Sequence, residues 1–332
     1  LSLGRQDRPM TNVFQPRFQD EDAAREHLEA LHWPDGPFCP HCGSVKATRL
    51  PPQRGRKTKA HPEGALRKGV VQCNDCRQQY TVTVGTVFES SKVPLHKWLY
   101  VNHVLCSSKK GTSAHQIARN IGVSYKTAWF MMHRIREAMK ETDAGPLGGY
   151  GSTIEADETY VGGKAKNRKA KQQALRVNMR WSMGDKQPVV ALVERGGKVR
   201  SFHVARVTGE TLRSVLVTNV DRGSWLMTDE HAGYKRVGQE FTGHGVVVHS
   251  KGEYVRKGVF HTNTVEGFFS LLKRGIIGTY HHVSEQHLHR YTAEFDFRYN
   301  TRKLDDAARA DESLLGAVGK RLTYRRTGPL AA

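Results

Sequence analysis

Four of the five cysteines stand in two short pairs, Cys39-Pro40-His41-Cys42 and Cys73-Asn74-Asp75-Cys76, and no other feature of the 332 residues constrains the fold as much. A C-x2-C knuckle brings two thiolates to one ion, and two knuckles complete a tetrahedron of sulfurs around zinc. The array predicts a zinc ribbon over residues 35–92, with Cys39, Cys42, Cys73 and Cys76 holding a structural Zn2+. Gly43 relieves the first tight turn. The alternation over residues 79–84 predicts a strand, and the spacer carries a basic loop, Arg54-Gly55-Arg56-Lys57-Thr58-Lys59. Paired cysteines of this kind suit a metal site in a reducing cytoplasm better than a disulfide framework. Cys106 falls in an apolar helical stretch and reads as a core residue. Ahead of the ribbon, residues 1–34 form a helical segment, with a helix over 22–31 that ends near Trp33-Pro34.

After the ribbon the period changes to that of helices. Residues 94–107, 113–119 and 125–139 predict three of them, with a turn at Asn120-Ile121-Gly122-Val123 and Ser124 capping the third. Small residues at the crossing and a glycine that accepts a left-handed turn are the marks of a helix-turn-helix, here placed over 93–144. The third helix would then present Ser124, Tyr125, Lys126 and Thr127 at its start, where major-groove readers touch bases. Lys126, Arg134 and Arg136 are candidates for phosphate contacts. The plainer alternative is a small three-helix domain with a basic face. Gly145-Pro146-Leu147-Gly148-Gly149-Tyr150-Gly151 reads as a linker over 145–152.

Composition supports a polyanionic partner. The formal net charge is +20, from 52 Lys+Arg against 32 Asp+Glu, and both halves of the chain are basic. Such a field attracts nucleic acid, and double-stranded DNA is the expected partner. No apolar run reaches the roughly 18–20 residues of a membrane span, so no membrane partner is expected.

Beyond residue 152 the pattern turns to strands. Strands are predicted over 154–161, 188–194, 198–207, 224–229 and 245–249, with helices over 210–219 and 262–276. That order is compatible with an RNase H-like α/β layer architecture over 153–305, a mixed sheet with flanking helices. The whole chain is therefore read as multidomain α/β, with a C-terminal tail over 306–332. Against the basic background, three acidic stretches stand out: Glu155-Ala156-Asp157-Glu158, Thr228-Asp229-Glu230 and Asn263-Thr264-Val265-Glu266. Asp157 within one strand and Asp229 at the end of another can lie side by side in a sheet, with Glu266 joining from a packed helix. Three carboxylates at one point repel unless divalent metal is present, and two Mg2+ (or Mn2+) ions about 4 Å apart resolve the repulsion. Glu155 and Glu158 are taken to lie on the other strand face, as neighbours rather than ligands, and Glu230 competes with Asp229. Asn263, Glu266, Ser270 and Lys273 recur every three or four residues and share one helix face. Isolated acids at strand ends also serve commonly as turns and caps, which is the alternative for all three.

These motifs together resemble the DDE transposases of bacterial insertion sequences, in the ISXO-like group that carries an amino-terminal zinc ribbon. The resemblance rests on Cys39 through Cys76 with Gly85-Thr86-Val87-Phe88, on Ala156-Asp157-Glu158-Thr159-Tyr160-Val161-Gly162-Gly163-Lys164, on Thr228-Asp229-Glu230, on residues 261–275 and on Phe295 to Arg302. It implies a cut-and-join enzyme of the bacterial cytoplasm, associated with the nucleoid, with Asp157, Asp229 and Glu266 as metal-binding catalytic acids. It also implies that Lys273, with Arg274 beside it, contacts DNA near the reacting phosphate, and that Asn263 is an accessory. A homodimer or larger assembly on two DNA ends is implied too. The basic stretch 164–180 is expected to be an insertion that contacts DNA, the alternative being a merely solvated insertion. Two displacements follow: water frees a 3′-hydroxyl at a transposon end, and that hydroxyl attacks target DNA. The rival is a zinc-ribbon and helix-turn-helix DNA-binding regulator, derived from a transposase, without catalysis.

Overall fold

The computed structural model describes residues 13–57, 59, 62–142, 144–162, 186–248 and 261–323. The basic stretch 164–180 and His249 lie outside the described residues. The chain divides into two compact units, one of residues 1–108, 112–139 and 304–332, the other of 109–111 and 140–303.

In the first unit, helix α1 (Glu21–His32) starts where Asp20 accepts the Ala23 N–H, and it buries Ala24 and Leu28. Strands β1 (Ala47–Arg49), β4 (Val71–Cys73) and β5 (Gln79–Tyr80) form an antiparallel sheet in the order β1-β4-β5. Strands β2 (Gln53–Arg54) and β3 (Leu66–Arg67) make a separate ribbon that holds the basic loop. The strand expected over 79–84 stops at Tyr80. The Thr81 and Thr83 hydroxyls bond to each other at 3.0 Å and the Val84 N–H returns to the Thr81 carbonyl, so the backbone turns instead of extending.

Helices α2 (Leu95–Ser107), α3 (Ala114–Ile121) and α4 (Tyr125–Met139) follow. Ser113 accepts the Gln116 N–H, Gly122 closes α3 at φ +66, and Ser124 accepts the Thr127 N–H. The segment expected to be a tail opens with a further helix, α9 (Asp306–Leu315), which packs on α1, α2 and α4. Buried Asn102 joins it at both ends of its amide, donating to the Ala310 carbonyl and accepting from the Ser313 hydroxyl. The last described part of the chain therefore completes the first unit.

The second unit is a five-stranded sheet in the order β10-β9-β6-β7-β8. Its strands are β6 (Thr153–Val161), β7 (Gln187–Glu194), β8 (Val199–His203), β9 (Trp225–Thr228) and β10 (Gly243–Val246). β6 to β8 run antiparallel, whereas β9 and β10 run parallel to β6. Helices α5 (Gly209–Asn219) and α6 (Ala232–Val237) cover one face, where Ile154, Ala156, Val190 and Leu192 meet Leu212, Leu216 and Tyr234. Helices α7 (Asn263–Gly275) and α8 (Glu285–Asn300) cover the other, where Val161, Val189, Ala191 and Val193 meet Val265, Phe268 and Leu272. Each buried Val, Leu, Ile or Phe among them contributes about 1.5–3 kcal/mol, so the two layers hold the strand ends firmly. The stretch read as a linker is docked on this unit: Leu147 is buried, and its N–H donates to the Asn219 carbonyl.

Candidate functional site

The acidic centre is built by register. β6 and β9 pair in parallel, with Ala156 opposite Thr228, so the next residues along, Asp157 and Asp229, emerge side by side. This is the carboxyl end of β9, the edge where open α/β sheets present their ligand sites. Carboxylate oxygens of Asp157, Glu158 and Asp229 all lie within 4.8 Å of one another. Asp157 accepts the Glu158 N–H at 2.7 Å, and Asp229 accepts the His231 N–H at 3.0 Å. Glu266, in the first turn of α7, lies outside that group and accepts the Thr262 hydroxyl at 3.1 Å.

Burial, then the charge of Asp229, push the Asp157 carboxyl up to about 7, and the charges of Glu158 and Glu266 add to the push. Burial also raises Glu158, although the Tyr234 hydroxyl donates to it at 2.9 Å. Hard oxygen donors crowded against their own repulsion are of the kind that suit Mg2+ or Mn2+, which would supply positive charge.

Two expectations about the neighbours change. Glu158 is one of the three clustered carboxylates, because buried Tyr234 of α6 turns it toward the strand ends. Glu155 does not oppose Asp157 on the strand. Residues two apart share a face, and Glu155 lies fully buried toward α7. Glu230 is exposed beside Asp229 and lies outside the cluster.

Along α7, Asn263, Ser270, Lys273 and Arg274 are exposed, while Val265, Phe268, Phe269 and Leu272 are buried. A polar stripe with Lys273 on it thus runs away from Glu266, about 10 Å along the axis at 1.5 Å per residue.

The zinc ligands form a cage. Cys39 Sγ lies 3.6 Å from Cys76 Sγ, Cys42 Sγ lies 3.7 Å from Cys73 Sγ, and all four fall within 4.8 Å. A tetrahedron with Zn–S bonds of about 2.3 Å has edges of about 3.8 Å, which these spacings fit. Gly43 and Arg77 follow the two knuckles with φ +76 and +61, and their N–H groups return to the Cys39 and Cys73 carbonyls. The Cys76 N–H, chiefly, pulls the Cys73 thiol down to about 7.

In the helical part of the first unit, Ser124, Tyr125 and Lys126 are exposed at the start of α4, and Thr127 is half-buried. Tyr125 stacks on His115 at 4.3 Å. Arg134 does not reach the surface. It is 6% exposed, donates to the Glu89 and Leu322 carbonyls, and lies over the Trp98 and Phe130 rings. Arg136 is buried as well. Both side chains are buried in the first unit, not presented to solvent where a phosphate could meet them.

Three similarities bear on this arrangement. Residues 19–79 match a transposase zinc-ribbon domain, and residues 146–300 match an ISXO2-like transposase domain. A protein described as "Uncharacterized protein in transposable element ISH50", from Halobacterium salinarum, is 30% identical over 292 residues, which cover 85% of this chain and 91% of that one.

Proposed function

Since the chain belongs to the zinc-ribbon, ISXO2-like transposase family, we propose that it cuts and joins DNA by metal-dependent phosphoryl transfer at Asp157, Asp229 and Glu266. The observation that carries this is the register of β6 and β9, which sets Asp157 beside Asp229 and leaves Asp157 with a carboxyl pushed up to about 7. A middle strand, β6, that continues on one side into an antiparallel meander through β7 and β8 and has two parallel strands, β9 and β10, on the other supports reading the second unit as an RNase H-like core.

Bound divalent ions would supply charge to activate the attacking oxygen and steady the leaving one. The residues of the chain hold the geometry. Asp157 and Asp229 offer oxygens from adjacent strands, Glu158 offers one more from the same cluster, and Glu266 approaches from α7. Lys273 and Arg274 hold cationic groups in the solvent-facing last turn of α7, where they would clamp phosphates flanking the reacting one. Water at the transposon end, then the freed 3′-hydroxyl at the target, act as nucleophiles, so neither displacement requires a covalent intermediate on the protein.

Terminal-repeat recognition is assigned to a helix-turn-helix of α3 and α4. Ser124, Tyr125, Lys126 and Thr127 lie at the amino end of α4, the end that enters a major groove in such motifs. The zinc cage steadies the ribbon, whose basic loop adds phosphate contacts, and two or more copies of the chain pair the two DNA ends.

The test is a cleavage and strand-transfer assay on DNA ends with Mg2+ or Mn2+. Asp157→Asn is expected to lower joining more than about 100-fold, and unchanged joining would sink the assignment. Binding without cleavage by the wild-type chain would mark a regulator, and cleavage without joined product would mark a nuclease.

A further inference from the structure

We propose that Glu155, which the two displacements do not use directly, is the positioning residue of the acidic centre. It is the carboxylate that locks the start of α7 to β6, so that Glu266 stays in register with Asp157. The proposal rests on the reading of Asp157, Asp229 and Glu266 as the metal-binding acids.

The amino end of α7 has no side-chain cap from the residue that precedes it. The first turn of a helix carries N–H groups with no intrahelical partner. Thr262, at the N-cap of α7, makes no capping bond, and its hydroxyl goes to Glu266 instead. The orphan donors are met from the sheet: Glu155 Oε2 accepts the N–H groups of Thr264 at 2.8 Å and Val265 at 3.0 Å. Glu155 Oε1 accepts the Thr264 hydroxyl at 2.9 Å and Arg195 Nε at 2.6 Å. Arg195 sits in the turn between β7 and β8, and it also donates to the His261 carbonyl at 2.7 Å. His261 Nδ1 stands 3.3 Å from Oε1.

One fully buried side chain thus ties together β6, the β7–β8 turn and the amino end of α7. Its placement in sequence gives the tie a direction. Glu155 is two residues before Asp157 on the same strand face, and Val265 is the residue before Glu266. The clamp therefore spans from one proposed ligand to another, and it orients the helix that carries Lys273. A ligand must stay within about 0.5 Å of its working position, which a helix free at that end would not guarantee.

The chemistry demands a carboxylate. Both oxygens accept two bonds each, and Arg195 Nε can only donate. A glutamine would set its own N–H2 against one of these sets of donors, and its charge would be lost beside the helix amino end.

The experiment measures Mn2+ binding by calorimetry on the full chain with zinc retained, with thermal melting of each variant alongside. Glu155→Gln is expected to weaken Mn2+ binding by about 10–100-fold, the range for residues that support metal ligands from behind. Glu266→Gln should weaken it comparably, and the double variant should fall no more than about threefold below Glu266→Gln, because both changes remove the same ligand. Losses that multiply in the double variant would overturn the proposal, since they would mean a general effect on the fold. Should Glu155→Gln fail to fold, Thr264→Val, which removes one donor and keeps the backbone, takes its place in the same cycle with a smaller loss expected. Mn2+ binding within twofold of wild type for these variants, with binding lost in Asp157→Asn, would refute the clamp alone. Unchanged binding in Asp157→Asn or Glu266→Gln would instead refute the acidic-centre reading.

Discussion

Replacing Asp157 by Asn should stabilise the metal-free protein while abolishing its activity. Burial and the charges of Asp229, Glu158 and Glu266 hold the folded Asp157 near pKa 7, against an ordinary 3.8. Between those values the folded chain keeps a proton that the unfolded chain has released, so this group lowers stability steadily as pH rises from about 4 to 7. Above pH 7 the penalty is complete. The difference between about 7 and 3.8, at ~1.4 kcal/mol per unit, sets it at no more than about 4 kcal/mol. Asp157 is half-buried, so about half of that, about 2 kcal/mol, is the expected gain, or about 4–8 °C in melting for a unit of this size. Asn keeps an oxygen for the Glu158 N–H, so the bond now made at 2.7 Å survives. Scanning calorimetry with zinc retained and Mg2+ and Mn2+ excluded measures the gain at pH 8 and again at pH 5, where it should fall below half. Added Mg2+ should raise the wild-type melting point and leave that of the variant unmoved. An Asp157→Asn protein that melts at or below wild type at pH 8, or whose gain ignores pH, would refute the crowding of charge at this strand end.

Outcomes are expected for four further variants. Cys42→Ser should release zinc and melt the ribbon, because structural zinc contributes on the order of 10 kcal/mol to folding; metal analysis with circular dichroism checks it. Arg134→Ala should lower the melting point by several degrees through its lost carbonyl bonds and ring contacts, whereas Lys126→Ala should leave melting unchanged and weaken DNA binding in a salt-dependent way, read by fluorescence anisotropy. Tyr234→Phe should remove the donor that aims Glu158 and weaken Mn2+ binding about tenfold, with melting changed by no more than about 4 °C.

Much of the fold was legible in short stretches of sequence. The knuckles, the Ser124 cap and the Gly122 turn all depend on residues within about four positions of one another, and local geometry decides them. The stripe on α7 was equally readable, because a helix converts spacing directly into a face. The α9 helix was not: its buried residues are Ala310, Ser313 and Leu314, too few and too small to mark an apolar face. Arg134 was misjudged for a related reason, since a basic residue on a helix reads as exposed unless its partners are known. Those partners, Glu89 and Leu322, lie 45 and 188 residues away.

By itself the sequence determined the four zinc ligands, the order of the second unit's five strands, and which three stretches carry the acids. Only the tertiary structure decided where each acid in those stretches lies and what surrounds it. Asp157, Glu158 and Asp229 converge because two parallel strands pair in one register, and that register is set by the buried layers on both sheet faces. Glu155 became a buried clamp because α7, 109 residues further on, presents its unpaired N–H groups there. Glu158 faces the cluster because Tyr234, 76 residues on, donates to it. A carboxylate's role depends on the charges and donors around it, and here those come from chain segments that meet only when the sheet and its two helical layers close.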